Sequence, residues 1–132
     1  KDIELLTSLL EALPAGFRHV IEFRDQSWYS IDVYDLLSRY QVTLCIVSSG
    51  RLQPEIVVTS NLAYFRFHGL TGGYRYRYSD DELKRWAEII TPLKVEEAYI
   101  YFNNDYRAQA VFNARKLREL LAASPEEESP SL

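Results

Sequence analysis

Hydrophobic and polar residues alternate along this chain with two periods, one typical of β-strands and the other typical of α-helices. The clearest strand covers residues 63–69, with the sequence AYFRFHG. Side chains of a strand alternate between its two faces, so the alanine and both phenylalanines form an apolar face, whereas Tyr64, Arg66 and His68 share the other. This segment predicts a strand with one face in the core and one polar face.

The same criteria predict three more strands and four helices, which alternate along the chain. The strands are expected at residues 20–24, 42–47 and 98–102, and the helices at residues 2–13, 30–40, 80–90 and 108–122. Ser79 and Glu82 form a capping box at the start of the third helix. Each helix carries an apolar stripe that is predicted to pack inward, including Leu5 and Leu9 in the first and Val111 in the last.

Strands that alternate with helices indicate a parallel sheet with right-handed crossovers. An open doubly wound sheet would be apolar on both faces, but three of these strands carry polar residues along one face. These residues are Glu22 and Arg24, then Tyr64, Arg66 and His68, and finally Tyr99, Tyr101 and Asn103. A complete TIM barrel takes about 250 residues. The 132 residues present here therefore predict an α/β fold of about half a TIM-like barrel, with four parallel strands and a polar lumen.

The composition, 47% hydrophobic and 26% charged, is that of an ordinary globular domain. A net charge of −4 gives no general reason to expect nucleic acid or an anionic membrane as a partner. No apolar run approaches the roughly 20 residues that span a bilayer. The single cysteine, Cys45, cannot form an internal disulfide, so we expect a cytoplasmic protein.

Residues 1–123 are predicted to form the folded domain, and residues 124–132, rich in Glu, Ser and Pro, a disordered tail. The chain contains no methionine, even at its first position, which suggests a piece of a longer product. Half a barrel would also leave two unpaired sheet edges. We therefore expect either self-association or a missing amino-terminal half.

Four ionisable residues, Glu22, Arg24, Arg66 and His68, are predicted near the carboxyl ends of their strands, where barrel active sites form. In a functional interpretation, Arg24 and Arg66 bind a phosphate or carboxylate, and Glu22 and His68 act as general acid or base. In the plainer alternative, Glu22 only forms internal salt bridges with the two arginines. The convergence of four such groups on one face favours a pocket, but does not distinguish a binding site from a catalytic one.

Further candidates lie beside these four residues. Tyr101 and Asn103 share the predicted polar face, and Asn103 and Asn104 could bind substrate hydroxyls or else form a turn that caps the last helix. Trp28 could stack on a ring or cover the barrel mouth, and Tyr78 could line the rim. All five are predicted ligand-binding residues.

Neither a metal nor a cofactor is expected. The two histidines and Cys45 have no spacing typical of zinc, and the glycines at 69, 72 and 73 match no nucleotide fingerprint. The alternating Tyr and Arg residues at 74–78 could bind single-stranded nucleic acid by stacking and charge. The acidic residues next to this segment favour a loop over the pocket instead.

Several segments resemble the domain of unknown function 72, or YecE-like, family. Residues 20–28, VIEFRDQSW, are similar to its EFR(H/D)xSW element, and residues 64–69, YFRFHG, to its YxRxHG element. Two more similar segments are YS with EL and WA in residues 78–87, and YFNND with a later NA in residues 101–114. The resemblance implies a TIM-barrel-like fold without an established activity, of which this chain would be the carboxyl-terminal half.

These observations predict an uncharacterised TIM-barrel-like protein whose lumen binds or turns over a small anionic or polyol ligand by acid/base chemistry. A nucleic-acid-binding module that uses residues 74–78 is the alternative.

Overall fold

Four parallel β-strands form the centre of the structure, a computed structural model that describes residues 1–123. The strands are β1 (Val20–Ile21), β2 (Thr43–Ser49), β3 (Leu62–Gly69) and β4 (Glu97–Phe102). The helices are α1 (Ile3–Ala12), α2 (Ile31–Arg39), α3 (Asp80–Ile90) and α4 (Gln109–Ala122). The predicted tail, residues 124–132, lies outside the described residues, and its disorder stays a prediction.

The strands pair in the order β1-β2-β3-β4, all parallel, in an open sheet. This confirms the predicted α/β fold of four parallel strands with helices between them. The connection between β2 and β3, residues 50–61, contains no helix. Within the described residues, no helix is long and apolar enough to cross a membrane. The cytoplasmic location stays a prediction.

The first strand is shorter than predicted. It pairs with β2 only through Val20 and Ile21, so Glu22 and Arg24 follow the strand and do not belong to it. The chain leaves the sheet for a short 3-10 turn, Gln26–Trp28, which the Asp25 carboxylate caps by accepting a hydrogen bond from the Ser27 N–H at 2.9 Å. Glu22 therefore lies at the mouth of the curved sheet.

Apolar side chains pack in two clusters on the convex side of the sheet. One joins β3 with α3 and α4, and its largest buried side chains are Tyr78, Phe65 and Phe67. The other joins α1 and α2 with β1 and β2, around Val33 and Leu37. The burial of β3 alternates residue by residue from Ala63 to His68, which confirms its predicted apolar and polar faces.

The helices start close to the predicted residues, but some residues predicted to face inward do not. The predicted capping box of Ser79 and Glu82 is present with both of its hydrogen bonds. In contrast, Leu5 and Leu9 of α1 and Val111 of α4 are exposed, so their prediction as inward-facing residues is wrong. The buried apolar residues are Leu6 and Leu10 of α1 and Leu117 of α4, which lie on the face that each helix turns toward its cluster.

Tyr78 connects the carboxyl ends of β2 and β3 from within the core. Its side chain is fully buried, and its hydroxyl accepts a hydrogen bond from the Gly69 N–H at 2.9 Å and lies 3.0 Å from Ser48 Oγ. Gly69 has a φ of +87°, and an added Cβ would lie 2.1 Å from the Gly73 carbonyl oxygen. Only glycine fits this turn, and the Tyr78 hydroxyl holds it in place.

Replacing Tyr78 by phenylalanine should lower the free energy of unfolding by about 1–3 kcal/mol, because the buried Gly69 N–H loses its acceptor. Urea unfolding followed by circular dichroism measures this change. The matched control is Tyr106→Phe, which removes the hydroxyl of an exposed tyrosine and should change stability by less than about 0.5 kcal/mol. Equal effects of the two substitutions would contradict the structural role of the Tyr78 hydroxyl.

Candidate functional site

The concave face of the sheet gathers polar side chains from three strands and from the segment after β1. The register places Cys45 and Val47 of β2 beside Tyr64 and Arg66 of β3. It also places Tyr101 of β4 beside Arg66. Paired residues of parallel strands share a face, so Arg66 lies in the middle of this surface.

The Glu22 carboxylate is the centre of the site. Its Oε2 accepts a hydrogen bond from Arg66 Nη1 at 2.7 Å, and its Oε1 lies 3.0 Å from Arg24 Nε and 3.1 Å from His68 Nε2. The glutamate side chain is only 13% exposed. The four ionisable residues that the sequence predicted on one face are therefore in direct contact, and the structure contains both salt bridges of the plainer alternative.

The electrostatics of this cluster favour a charged Glu22. Burial acts to raise the pKa of the carboxyl group, but the hydrogen bonds and charges of Arg66 and His68 outweigh it and hold the pKa below its ordinary value. One carboxylate therefore faces two guanidinium groups. The cluster keeps a net positive charge even when His68 is neutral, so it attracts anions.

The guanidinium group of Arg66 makes more contacts with other side chains than that of Arg24. Arg66 also donates from Nε to Asn103 Oδ1 at 3.2 Å, so it bridges Glu22 and Asn103. The ion pair of Arg24 runs through Nε, and 75% of its side chain is exposed. Arg24 is therefore the arginine that can reach a ligand, while Arg66 holds Glu22 and Asn103 in position.

A cavity of about 560 Å³ opens at the carboxyl ends of β1, β2 and β3. This volume lies in the range of small-molecule sites, about 300–1,000 Å³. Glu22, Arg24 and His68 line the cavity on one side, and Ser49, Gly50, Arg51, Leu52, Gly69, Leu70, Gly72 and Gly73 are among its other lining residues. A smaller cavity of about 170 Å³, lined by Tyr64 and Arg66, shares Glu22 with the first.

Three predicted site residues have other environments. Tyr78 and Asn104 are fully buried, so neither lines a rim or faces a ligand. The Asn104 side chain donates to the Tyr76 carbonyl and to Asn113 Oδ1, both at 2.8 Å, and so fastens the turn after β4 to the core. Trp28 stacks on Phe23 with the ring centres 4.7 Å apart, which gives it a packing role.

The sequence interpretation missed Ser49, Gly50 and Arg51. They line the large cavity, at the end of β2 and directly after it. The signal was available, since the run Ser-Ser-Gly-Arg comes after an apolar strand at the level where the other strands place their polar residues. Cys45 also faces Glu22, with its sulfur 3.9 Å from Oε2. Burial first, and then the charge of Glu22, raise the pKa of this thiol to about 12, so it stays protonated.

The alternating tyrosines of residues 74–78 do not form one exposed surface. The Tyr76 hydroxyl donates to Glu82 Oε1 at 2.5 Å, its ring packs against the core, and Tyr78 is buried. Arg75 lies over the rings of Tyr74 and Tyr106, 5.6 Å from each centre. Tyr74 is the one tyrosine of this loop that is largely exposed, so the three rings do not form a continuous exposed row. Nucleic-acid binding by this loop stays a prediction.

The parallel sheet, its polar concave face and a cavity at the strand ends define an α/β protein of the TIM-barrel-like class. The chain belongs to the family described as "Protein of unknown function DUF72", which matches residues 1–131. This result confirms the family resemblance that four segments of the sequence indicated. None of the curated proteins compared with the chain matches it significantly.

Crystal structures of two family members share this fold. A DUF72 family protein from Thermotoga maritima is 32% identical, with a TM-score of 0.83 over 91% of this chain and 51% of that one. A DUF72 family protein from Enterococcus faecalis is 25% identical, with a TM-score of 0.80 over 92% of this chain and 55% of that one. The chain thus spans about half the length of these TIM-barrel-like relatives.

Glu22→Gln should lower the free energy of unfolding at neutral pH by about 1–3 kcal/mol, because Arg24 and Arg66 lose their counter-charge. The substitution should also make the free energy of unfolding fall less steeply at acid pH, on the acid limb of the stability curve. The folded-state pKa of Glu22 is lowered, so its contribution is complete above the ordinary value of 4.5 and is lost as the pH falls through the folded-state pKa. Urea unfolding measured from pH 7 to pH 3 tests this.

The matched control is Glu88→Gln, on the exposed surface of α3, which should retain the acid limb of the unsubstituted chain. If Glu22→Gln and the unsubstituted chain lose stability equally between pH 5 and pH 3, Glu22 does not hold the cluster together.

Proposed function

We propose that this protein binds a small anionic or polyol ligand in the cavity at the carboxyl ends of β1, β2 and β3, and that Glu22 and His68 serve acid/base chemistry on it. The observation that carries the proposal is the cluster around Glu22, in which one carboxylate is shared by Arg24, Arg66 and His68 at the wall of a 560 Å³ cavity. Active sites of barrel enzymes occupy this end of the strands.

Two arginines at the cavity support the binding of an anion. Arg24 is largely exposed at the cavity wall, and Arg51 lines the same cavity. A guanidinium group binds phosphate or carboxylate through two parallel hydrogen bonds, and the exposed terminal nitrogens of Arg24 suit an anion in the cavity. The glycines at 50, 69, 72 and 73 allow the backbone of two loops to come close to a ligand.

The acid/base assignment rests on the contact between His68 and Glu22. If His68 Nε2 donates to the carboxylate, Nδ1 carries the lone pair and can take a proton from a ligand. Glu22 then stabilises the imidazolium ion that forms, because its lowered pKa keeps it charged. His68 is thus the group that transfers the proton, and Glu22 orients it.

The test is thermal unfolding of the chain with inorganic phosphate as the anion probe and mannitol as the polyol probe. Sodium chloride at equal ionic strength corrects for screening. A ligand that binds only the folded state raises the unfolding midpoint with its concentration. We expect stabilisation by phosphate, weakened about tenfold in apparent affinity by Arg24→Gln, since one charge-assisted contact is worth about 1.5–3 kcal/mol.

The matched control is Arg39→Gln. Arg39 is an exposed arginine in the last turn of α2, at the opposite end of the sheet from the cavity. This variant should bind phosphate like the unsubstituted chain. Equal weakening by Arg39→Gln and Arg24→Gln would mean that phosphate responds to net charge alone. No stabilisation by either probe would overturn the proposal.

A further inference from the structure

The concave face carries two kinds of binding surface on opposite sides of Arg66. On one side is the basic cavity with Arg24 and Arg51. On the other side are tyrosines of β3 and β4, where the rings of Tyr64 and Tyr101 lie 5.2 Å apart. Tyr101 is 47% exposed although it lies within a strand. The ring of Tyr101 is therefore accessible beside the polar cluster.

Arg66 connects the two surfaces through side-chain hydrogen bonds. Its Nη1 donates to Glu22 at the cavity wall, and its Nε donates to Asn103 at the end of β4. Arginine has no acceptor, so the amide oxygen of Asn103 must face it, and the two Nδ2 hydrogens remain as donors. Tyr101 neighbours Arg66 in the sheet register. An aromatic ring, an amide donor and a phenol therefore lie together beside the anion site.

These groups match a hydroxylated ring. The face of a tyrosine covers the C–H groups of a sugar, while amide and phenol groups bind its hydroxyls. Arg66 contacts Glu22 at the cavity wall and Asn103 on the tyrosine side, so the two sides are adjacent. Resting on the function proposed above, we infer that the ligand is a sugar carrying an anionic group, with its phosphate or carboxylate at Arg24 and Arg51 and its ring at Tyr101 and Asn103.

The experiment compares sugar phosphates with their parts. Glucose 6-phosphate and ribose 5-phosphate are titrated against the chain by calorimetry, beside glucose, ribose and inorganic phosphate. Glucuronate serves as the carboxylated sugar. At least one anionic sugar should bind about tenfold more tightly than inorganic phosphate, which corresponds to about 1.4 kcal/mol. Neither parent sugar should reach that affinity.

Two substitutions separate the two surfaces. Tyr101→Ala should lower the affinity for the sugar phosphate to that for inorganic phosphate and leave inorganic phosphate unchanged. Arg24→Gln should weaken both. Tyr106→Ala removes an exposed tyrosine from the turn after β4 and should change neither, which makes it the matched control.

The outcomes distinguish the proposed anion site from the inference that the ligand is a sugar. If phosphate binds and Arg24→Gln weakens it, but no anionic sugar binds more tightly than phosphate, the anion site stands and the sugar inference is overturned. Loss of phosphate binding in Tyr101→Ala would also overturn it, because the tyrosine would then act on the anion site itself. If no probe binds, the proposed function fails together with the inference.

Discussion

The candidate site depends on a single carboxylate. Glu22 lies directly after a two-residue strand and contacts three basic side chains, two of which come from β3. The Arg66 side chain is only 30% exposed, and a partly buried guanidinium group needs a nearby counter-charge because burying an unpaired charge is costly. Glu22 supplies that charge, and Arg66 in turn holds the Asn103 side chain by a hydrogen bond. The arrangement of the candidate site and the local stability are therefore coupled through the same contacts.

The curvature of the sheet makes this coupling possible. Arg18, which precedes β1, reaches Glu97 at 2.9 Å and the Tyr99 hydroxyl at 3.1 Å, although β4 lies at the opposite edge of the sheet. A flat sheet would separate these edges by three strand spacings of roughly 4.8 Å each. The concave face therefore closes on itself at its amino-terminal end. At the carboxyl-terminal end it stays open, and that is where the cavity and its basic groups lie.

The loops at the cavity are held from the core. Tyr78 fixes the glycine turn after β3, and Asn104 fixes the turn after β4. Both residues were predicted to contact a ligand, Asn104 because it follows a strand and Tyr78 as a residue of the pocket rim. Burial decides the difference, and burial depends on how α3 and α4 pack. In this protein, Tyr78 and Asn104 hold the loops of the candidate site from the core side.

The order of strands and helices, the two faces of β3 and the place of Arg66 and His68 on its polar face could all be predicted from the residue pattern. Side-chain alternation follows from local backbone geometry, so these features need no knowledge of distant residues. The pattern could not show that Glu22 is the common partner of three basic groups, or that the outer faces of α1 and α4 remain exposed. Those features depend on strand order and curvature, which bring residues more than 40 positions apart into contact.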